Sequence, residues 1–247
     1  MNADLVQLER DGPVARIFLN RPAKANALTS AFLSELKDIF QGLKSDPALC
    51  VVVLGGRGSA FCGGADVGEL AGLDSSSAAS FVEKIHLVCE AIRRLPVPVV
   101  ARLHGAVIGA GLEIAAACDL RIAAEGTKFA MPEVRLGIPS VVEAALLPRL
   151  MGAGRAAWLV LTGEPIDARR ACEWGLVEEV CPFAKLDQRM DALLQNLIAG
   201  DRDALRAQKE LLQLWDDAPL SRSIAVSLQR FAQSYASGVP NEKMKKK

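Results

Sequence analysis

Short β-branched runs alternating with helical periodicity up to about residue 140, and helical patterning after it, predict an α/β fold with a helical C-terminal region. The strand–glycine loop–helix succession occurs twice. Cys50–Leu54 leads through Gly58–Gly64, and Val97–Leu103 leads through Gly105, Gly109 and Gly111. A loose β-β-α order is visible without a strict repeat. With 247 residues, the chain suits one large domain with a small appendage. We divide it into a core carrying the site, residues 1–195, and a helical oligomerisation region, residues 196–247.

The elements follow from local pattern. Val6–Glu9 and Val14–Leu19 alternate around Asp11-Gly12 and read as a β-hairpin, which Asn20-Arg21-Pro22 ends. Thr29 is an N-cap candidate for a helix carrying Phe32, Leu33, Leu36, Ile39, Phe40 and Leu43 on one face. Cys50–Leu54 reads as a strand buried on both faces. A helix is expected from near Ala65, another over Leu112–Cys118, and a strand over Asp119–Ala123. Leu146–Leu150, Ala156–Thr162, Ala168–Trp174 and Leu186–Ile198 are helical in pattern, with Asp167 as N-cap and Gly175 just past the end of the third. From Asp201 onward, amphipathic helices need something to cover their apolar faces, and a partner subunit is the candidate.

Composition narrows the functional classes. Residues are 51% hydrophobic and 23% charged, enough for a buried core. Twenty-nine basic and twenty-nine acidic residues cancel, which argues against a chain-wide nucleic-acid surface. Lys243, Lys245, Lys246 and Lys247 read as a solvated tail. Cys50, Cys62, Cys89, Cys118, Cys172 and Cys181 include no CxxC pair, and with two histidines no metal site is expected. The most apolar stretch, Leu95–Leu120, contains Arg102, His104 and Glu113 and is broken by prolines, so no membrane span is expected. No basic-then-apolar leader opens the sequence, and the expected location is cytoplasmic.

Two glycine-rich loops run towards helix N-termini, where backbone N–H groups lack internal partners. One is Ser59–Asp66, the other His104–Glu113. Two such amides aimed at one oxygen would form an oxyanion hole; tight packing alone would also account for the glycines. The second loop resembles part of a dinucleotide fingerprint, but Ile114 stands where its third glycine is needed. No G-x-S-x-G elbow exists to support a serine hydrolase. Glu113 lies in the first turn of an otherwise apolar helix, where an ionisable acid is costly unless paired or used. Glu133 follows Pro132 on a loop, and Glu143 is a third acid in an apolar stretch. His86 and His104 read as structural.

From about Asn20 to Val180 these pieces resemble the crotonase (enoyl-CoA hydratase/isomerase) superfamily in order and spacing. They are Asn20–Leu28, Phe61–Val67, His104–Glu113 with Cys118-Asp119, Pro132–Pro139, and Leu161-Thr162-Gly163. The resemblance implies a spiral of β-β-α units with a helical C-terminal region, assembled as a homotrimer or hexamer. It implies an acyl-CoA substrate and no cofactor beyond the CoA moiety. The Ala65 and Ala110 amides would hold the thioester oxygen. Lys24, Ala25, Gly63, Ala65, Asp66 and Val67 would contact CoA, mostly through main chain. Glu113 and Glu133 would be the acids of an enoyl-CoA hydratase, Glu113 activating water and Glu133 delivering the α-proton. The alternatives are a Δ3,Δ2-enoyl-CoA isomerase, other acyl-CoA chemistry on this scaffold, or a non-catalytic acyl-CoA-binding protein. One loop departs from the hydratase pattern, which continues with glycines and a threonine-glutamine pair. Here it reads Ser140-Val141-Val142-Glu143, so the acyl pocket is expected to differ and Glu143 to be within reach of it.

Overall fold

A computed structural model describes residues 4–245 of the chain. The elements are β1 (Val6–Asp11), β2 (Val14–Leu19), α1 (Ser30–Leu43), β3 (Val51–Gly56), α2 (Val67–Leu70), α3 (Ser75–Arg93), β4 (Val99–Leu103), β5 (Ala106–Ile108), α4 (Ala110–Ala117), β6 (Leu120–Ala124) and β7 (Lys128–Ala130). They continue as α5 (Leu147–Met151), α6 (Ala153–Thr162), β8 (Ile166–Asp167), α7 (Ala168–Trp174), β9 (Glu179–Cys181), α8 (Leu186–Ala199), α9 (Arg202–Asp217), α10 (Leu220–Ser234) and α11 (Val239–Lys245).

A six-stranded sheet runs β1-β2-β3-β4-β6-β9, parallel except for the β1–β2 hairpin. A smaller sheet runs β5-β7-β8. Single bridges join Cys62 to Val107 of β5 and Leu28 to Ala65, so the loops after β2 and β3 run beside the small sheet. The β4-β5-α4 and β6-β7 turns each send one strand to the large sheet and one to the small.

β3 is buried at every position, and its side chains divide between two cores. Val52 and Leu54 face the main core with α1, α3 and α4. Val51 and Val53 face a second core with Leu186, Met190 and Leu194 of α8. That is why the strand reads as a continuous apolar run. α8 runs through residue 195, where the sequence reading divides the chain.

Capping sets several boundaries as expected. Thr29 accepts from Phe32 N at 3.3 Å, Asp167 accepts from Arg170 N at 2.8 Å, and Gly175 closes α7 at φ +84°. The helix expected near Ala65 is α2, which starts at Val67 behind its cap Asp66. Ala65 is bridged to Leu28, and α2 is a single turn whose Gly68 and following Gly72 have poor helix propensity. The long helix is α3, begun by a capping box between Asp74 and Ser77.

α9 is anchored by one buried cation. Lys209 Nζ donates to Ile92 O (3.1 Å) and Val97 O (2.9 Å) and pairs with Asp119 Oδ2 at 2.7 Å. Its neighbour α10 leaves Leu220, Ile224, Leu228 and Phe231 exposed. Among the described residues no helix is long and apolar enough to cross a membrane. Lys243 and Lys245 lie in α11; Lys246 and Lys247 lie outside the described residues.

Candidate active site

The loop after β2 and the loop after β3 are locked together by Asn26. Its Nδ2 donates to the carbonyls of Arg57, Ala60 and Phe61 at 3.0, 2.9 and 3.1 Å, while Oδ1 accepts from Arg21 N at 2.7 Å. Asn26 is fully buried in a left-handed conformation (φ +56°), as is usual only where surrounding contacts over-determine the backbone. Gly63 N donates to Ala25 O at 2.7 Å, and Arg21 Nη1 pairs with Asp66 Oδ2 at 2.5 Å. That guanidinium, and the α2 amides that Asp66 caps, hold the Asp66 carboxyl below its usual range. Lys24, Ala25, Gly63, Ala65, Asp66 and Val67 are thereby gathered along one strip, with Lys24 and Val67 exposed.

At the end of that strip the two glycine loops touch. A Cβ on Gly64 (φ +95°) would lie 2.9 Å from Ile108 O and 3.9 Å from the Ala110 nitrogen. Ala110 is the first residue of α4, so its N–H has no acceptor within the helix. Among the described residues neither the Ala65 nor the Ala110 amide donates to a backbone or side-chain acceptor, whereas Leu28 N, Gly63 N and Asp66 N beside them do. Two free N–H groups from adjoining loops can receive one oxygen carrying negative charge.

α4 carries Glu113 one turn on, 4% exposed. Burial first, and then the Glu133 carboxylate, push Glu113 up to about 8; the Ala144 amide, donating to Oε1 at 3.2 Å, opposes the rise, and Glu143 adds to it. Glu133 opens a 3-10 turn, Glu133–Leu136, just past β7. Its carboxylate lies against Gly109 (φ +51°), whose missing Cβ would collide with Oε1, and Ser140 Oγ donates to Oε2 at 2.9 Å. Burial and the neighbouring carboxylate therefore keep the proton on Glu113 near neutral pH.

The segment Ser140–Ala144 therefore touches both acids, through the Ser140 hydroxyl and the Ala144 amide. Between them, Val142 sits at φ +41°, which costs a β-branched residue about 1–3 kcal/mol. Glu143 is buried, and its Oε1 lies 2.8 Å from His86 Nδ1 of α3. The sequence puts Glu143 within reach of the acyl pocket without naming a partner; a contact with His86 across 57 residues leaves no local signature. His104 is buried with Nε2 at 3.0 Å from Gly58 O, in keeping with a structural role. Cys62 is no nucleophile, since burial pushes its thiol up to about 12. All six cysteines are free.

Two wound sheets, two adjoining glycine loops and two acids that share one hydrogen-bonding segment define the site. The family model for enoyl-CoA hydratase/isomerase matches residues 9–243, and the chain belongs to that family. It is 31% identical to a crotonyl-CoA hydratase of Syntrophomonas wolfei, over 96% of this chain and 92% of that protein. It is 32% identical to an enoyl-CoA isomerase/hydratase of Mycosarcoma maydis, over 85% and 81%. The crystal structure of an enoyl-CoA hydratase from Bacillus anthracis superposes with a TM-score of 0.91 at 32% identity, covering 98% and 97% of the two chains.

Proposed function

We propose that the chain is a 2-enoyl-CoA hydratase, adding water across the conjugated double bond to give a 3-hydroxyacyl-CoA. The observation that carries this reading is the coupled pair Glu113 and Glu133 beside the two free amides of Ala65 and Ala110. Water addition needs a base for the incoming water and an acid for Cα, and the pair supplies one of each. Glu113 removes a proton from water as its oxygen bonds to Cβ. The alkene electron pair shifts towards the thioester, whose oxygen becomes an enolate held by the Ala65 and Ala110 N–H groups. Glu133 protonates Cα, and exchange with solvent restores the starting charges. Burial favours the proton on Glu113 in the free enzyme, so in this reading the proton that reaches Cα is the pair's, delivered from the Glu133 side once substrate is bound.

Lys24, Ala25, Gly63, Ala65, Asp66 and Val67 serve the CoA end in this reading, chiefly through main chain. The exposed apolar face of α10 supports assembly as a homotrimer or hexamer, because a contiguous apolar surface of that kind is costly in water. A second reading, Δ3,Δ2-enoyl-CoA isomerisation, is favoured by one feature. The segment that meets both acids, Ser140–Ala144, includes the stretch Ser140–Glu143 that departs from the hydratase pattern. Incubating a panel of 2- and 3-enoyl-CoAs in heavy water, with products identified by mass and NMR, separates the two. Hydration yields a 3-hydroxyacyl-CoA with one α-deuteron; isomerisation yields a shifted double bond without gain of oxygen.

A further inference from the structure

We propose that Glu143 and His86 form a positioning pair, clamping the Ser140–Ala144 segment to α3 so that its hydroxyl and amide are held on the two catalytic acids. The inference rests on the hydratase reading for the meaning of "catalytic", and on geometry for the rest. Glu143 is 5% exposed, while the His86 side chain is 48% exposed and reaches it from the solvent side of α3 at 2.8 Å. The second carboxyl oxygen, Oε2, is buried without a hydrogen-bond partner among the described residues. Beside the carboxylate lies the thiol of Cys89, three residues beyond His86 on the same face of the helix.

A buried carboxyl needs a partner; His86 meets Glu143 Oε1 at 2.8 Å, and the Cys89 thiol of the same helix lies against the carboxylate. Residue 144 follows directly, and its N–H reaches Glu113 Oε1; residue 140 reaches Glu133 Oε2. Val142, between them, is held in a conformation that a free valine avoids. Val142 and Ala144 pack on the main core, and the 2.8 Å Glu143–His86 bond is the polar contact that ties the segment to the solvent side of α3. Released, the segment would relax at Val142 and withdraw a donor from each acid.

The ionisable groups around this point are Glu113 on α4, Glu133 on its 3-10 turn, Glu143, and His86 and Cys89 on α3, with Cys118 beyond Cys89. Replacing Glu143 removes its charge as well as its anchor, and the two effects on Glu113 oppose each other. Loss of the charge lowers the Glu113 titration, whereas loss of the Ala144 amide raises it. Comparing Glu143→Ala with Glu143→Gln cancels the charge, because both are neutral while only the amide can still accept from His86.

The test follows the Glu113 carboxyl by difference infrared titration, with Glu113→Gln to assign its band, and measures hydration of crotonyl-CoA across pH. Relative to Glu143→Gln, Glu143→Ala should raise the Glu113 midpoint by about one unit and lower kcat about tenfold with KM little changed. His86→Ala should lower kcat similarly, and His86→Asn, which restores a donor, should recover most of it. If Glu143→Ala does not fold, the half-exposed His86 pair of variants carries the comparison. Equal midpoints and kcat in the two Glu143 variants, or wild-type behaviour of His86→Ala, would overturn the positioning role. A wild-type protein that hydrates nothing would sink the hydratase reading, yet the infrared comparison would still decide this one.

Discussion

Gly109 lies directly against the carboxylate of Glu133, so closely that a Cβ there would collide with Oε1. The residue also sits at φ +51°, which disfavours any side chain. One glycine therefore lets the second loop turn into α4 and leaves Glu133 room beside it. Gly109→Ala should displace Glu133 and cut kcat at least about a hundredfold, while costing about 1–3 kcal/mol of stability. Steady-state kinetics beside thermal melts check this. A fully active Gly109→Ala would mean that the position of Glu133 is not critical.

Glu113 gives a pH dependence with a definite sign. Its carboxyl is raised from 4.5 to about 8, chiefly by burial. Loss of the pair's last proton near that value removes the acid, so hydration should fall as pH rises through about 8. Glu133→Gln removes the neighbouring charge and should move the Glu113 titration to lower pH, read by infrared because that variant is expected to be inactive. The same raised value links to folding. Between 4.5 and about 8 the folded state keeps a proton that the unfolded chain has lost, so this group's contribution to stability declines as pH rises across that window. Glu113→Gln should lack that decline when urea melts at pH 5 and pH 8.5 are compared.

Lys209 is expected to matter to stability rather than to chemistry. Removing it would leave Asp119 and the carbonyls of Ile92 and Val97 without the cation. Lys209→Ala should cost about 3–5 kcal/mol, the range for breaking a buried pair from one side. Denaturant midpoints test it. A loss under about 1 kcal/mol would show that the α9 anchor lies elsewhere.

Much of this site is legible in the sequence because backbone geometry leaves a mark there. Gly64 and Gly109 adopt positive φ where the two loops meet, and both lie in the glycine-rich loops that the sequence marks out. Glu113 stands out because a carboxyl within an apolar helical turn needs a reason. What was illegible depends on distant partners. Lys209 looks like any lysine of an amphipathic helix until α9 is docked, and Asn26 gives no hint that it bonds three carbonyls of another loop. The helix start near Ala65 is legible from the Asp66 cap, whereas its end after one turn at Leu70 is set by Gly68 and Gly72, whose helix propensity is poor. Glu143 can be noticed near the acyl pocket but not paired, since His86 lies on α3, 57 residues away.

The central claim, two acids serving one water addition, is tested most directly by Glu113→Gln and Glu133→Gln. Each variant should remain folded and bind crotonyl-CoA, and each should lose hydration by at least about a thousandfold, measured by NMR of the product in heavy water. Near-full hydration by either variant would contradict the two-acid account.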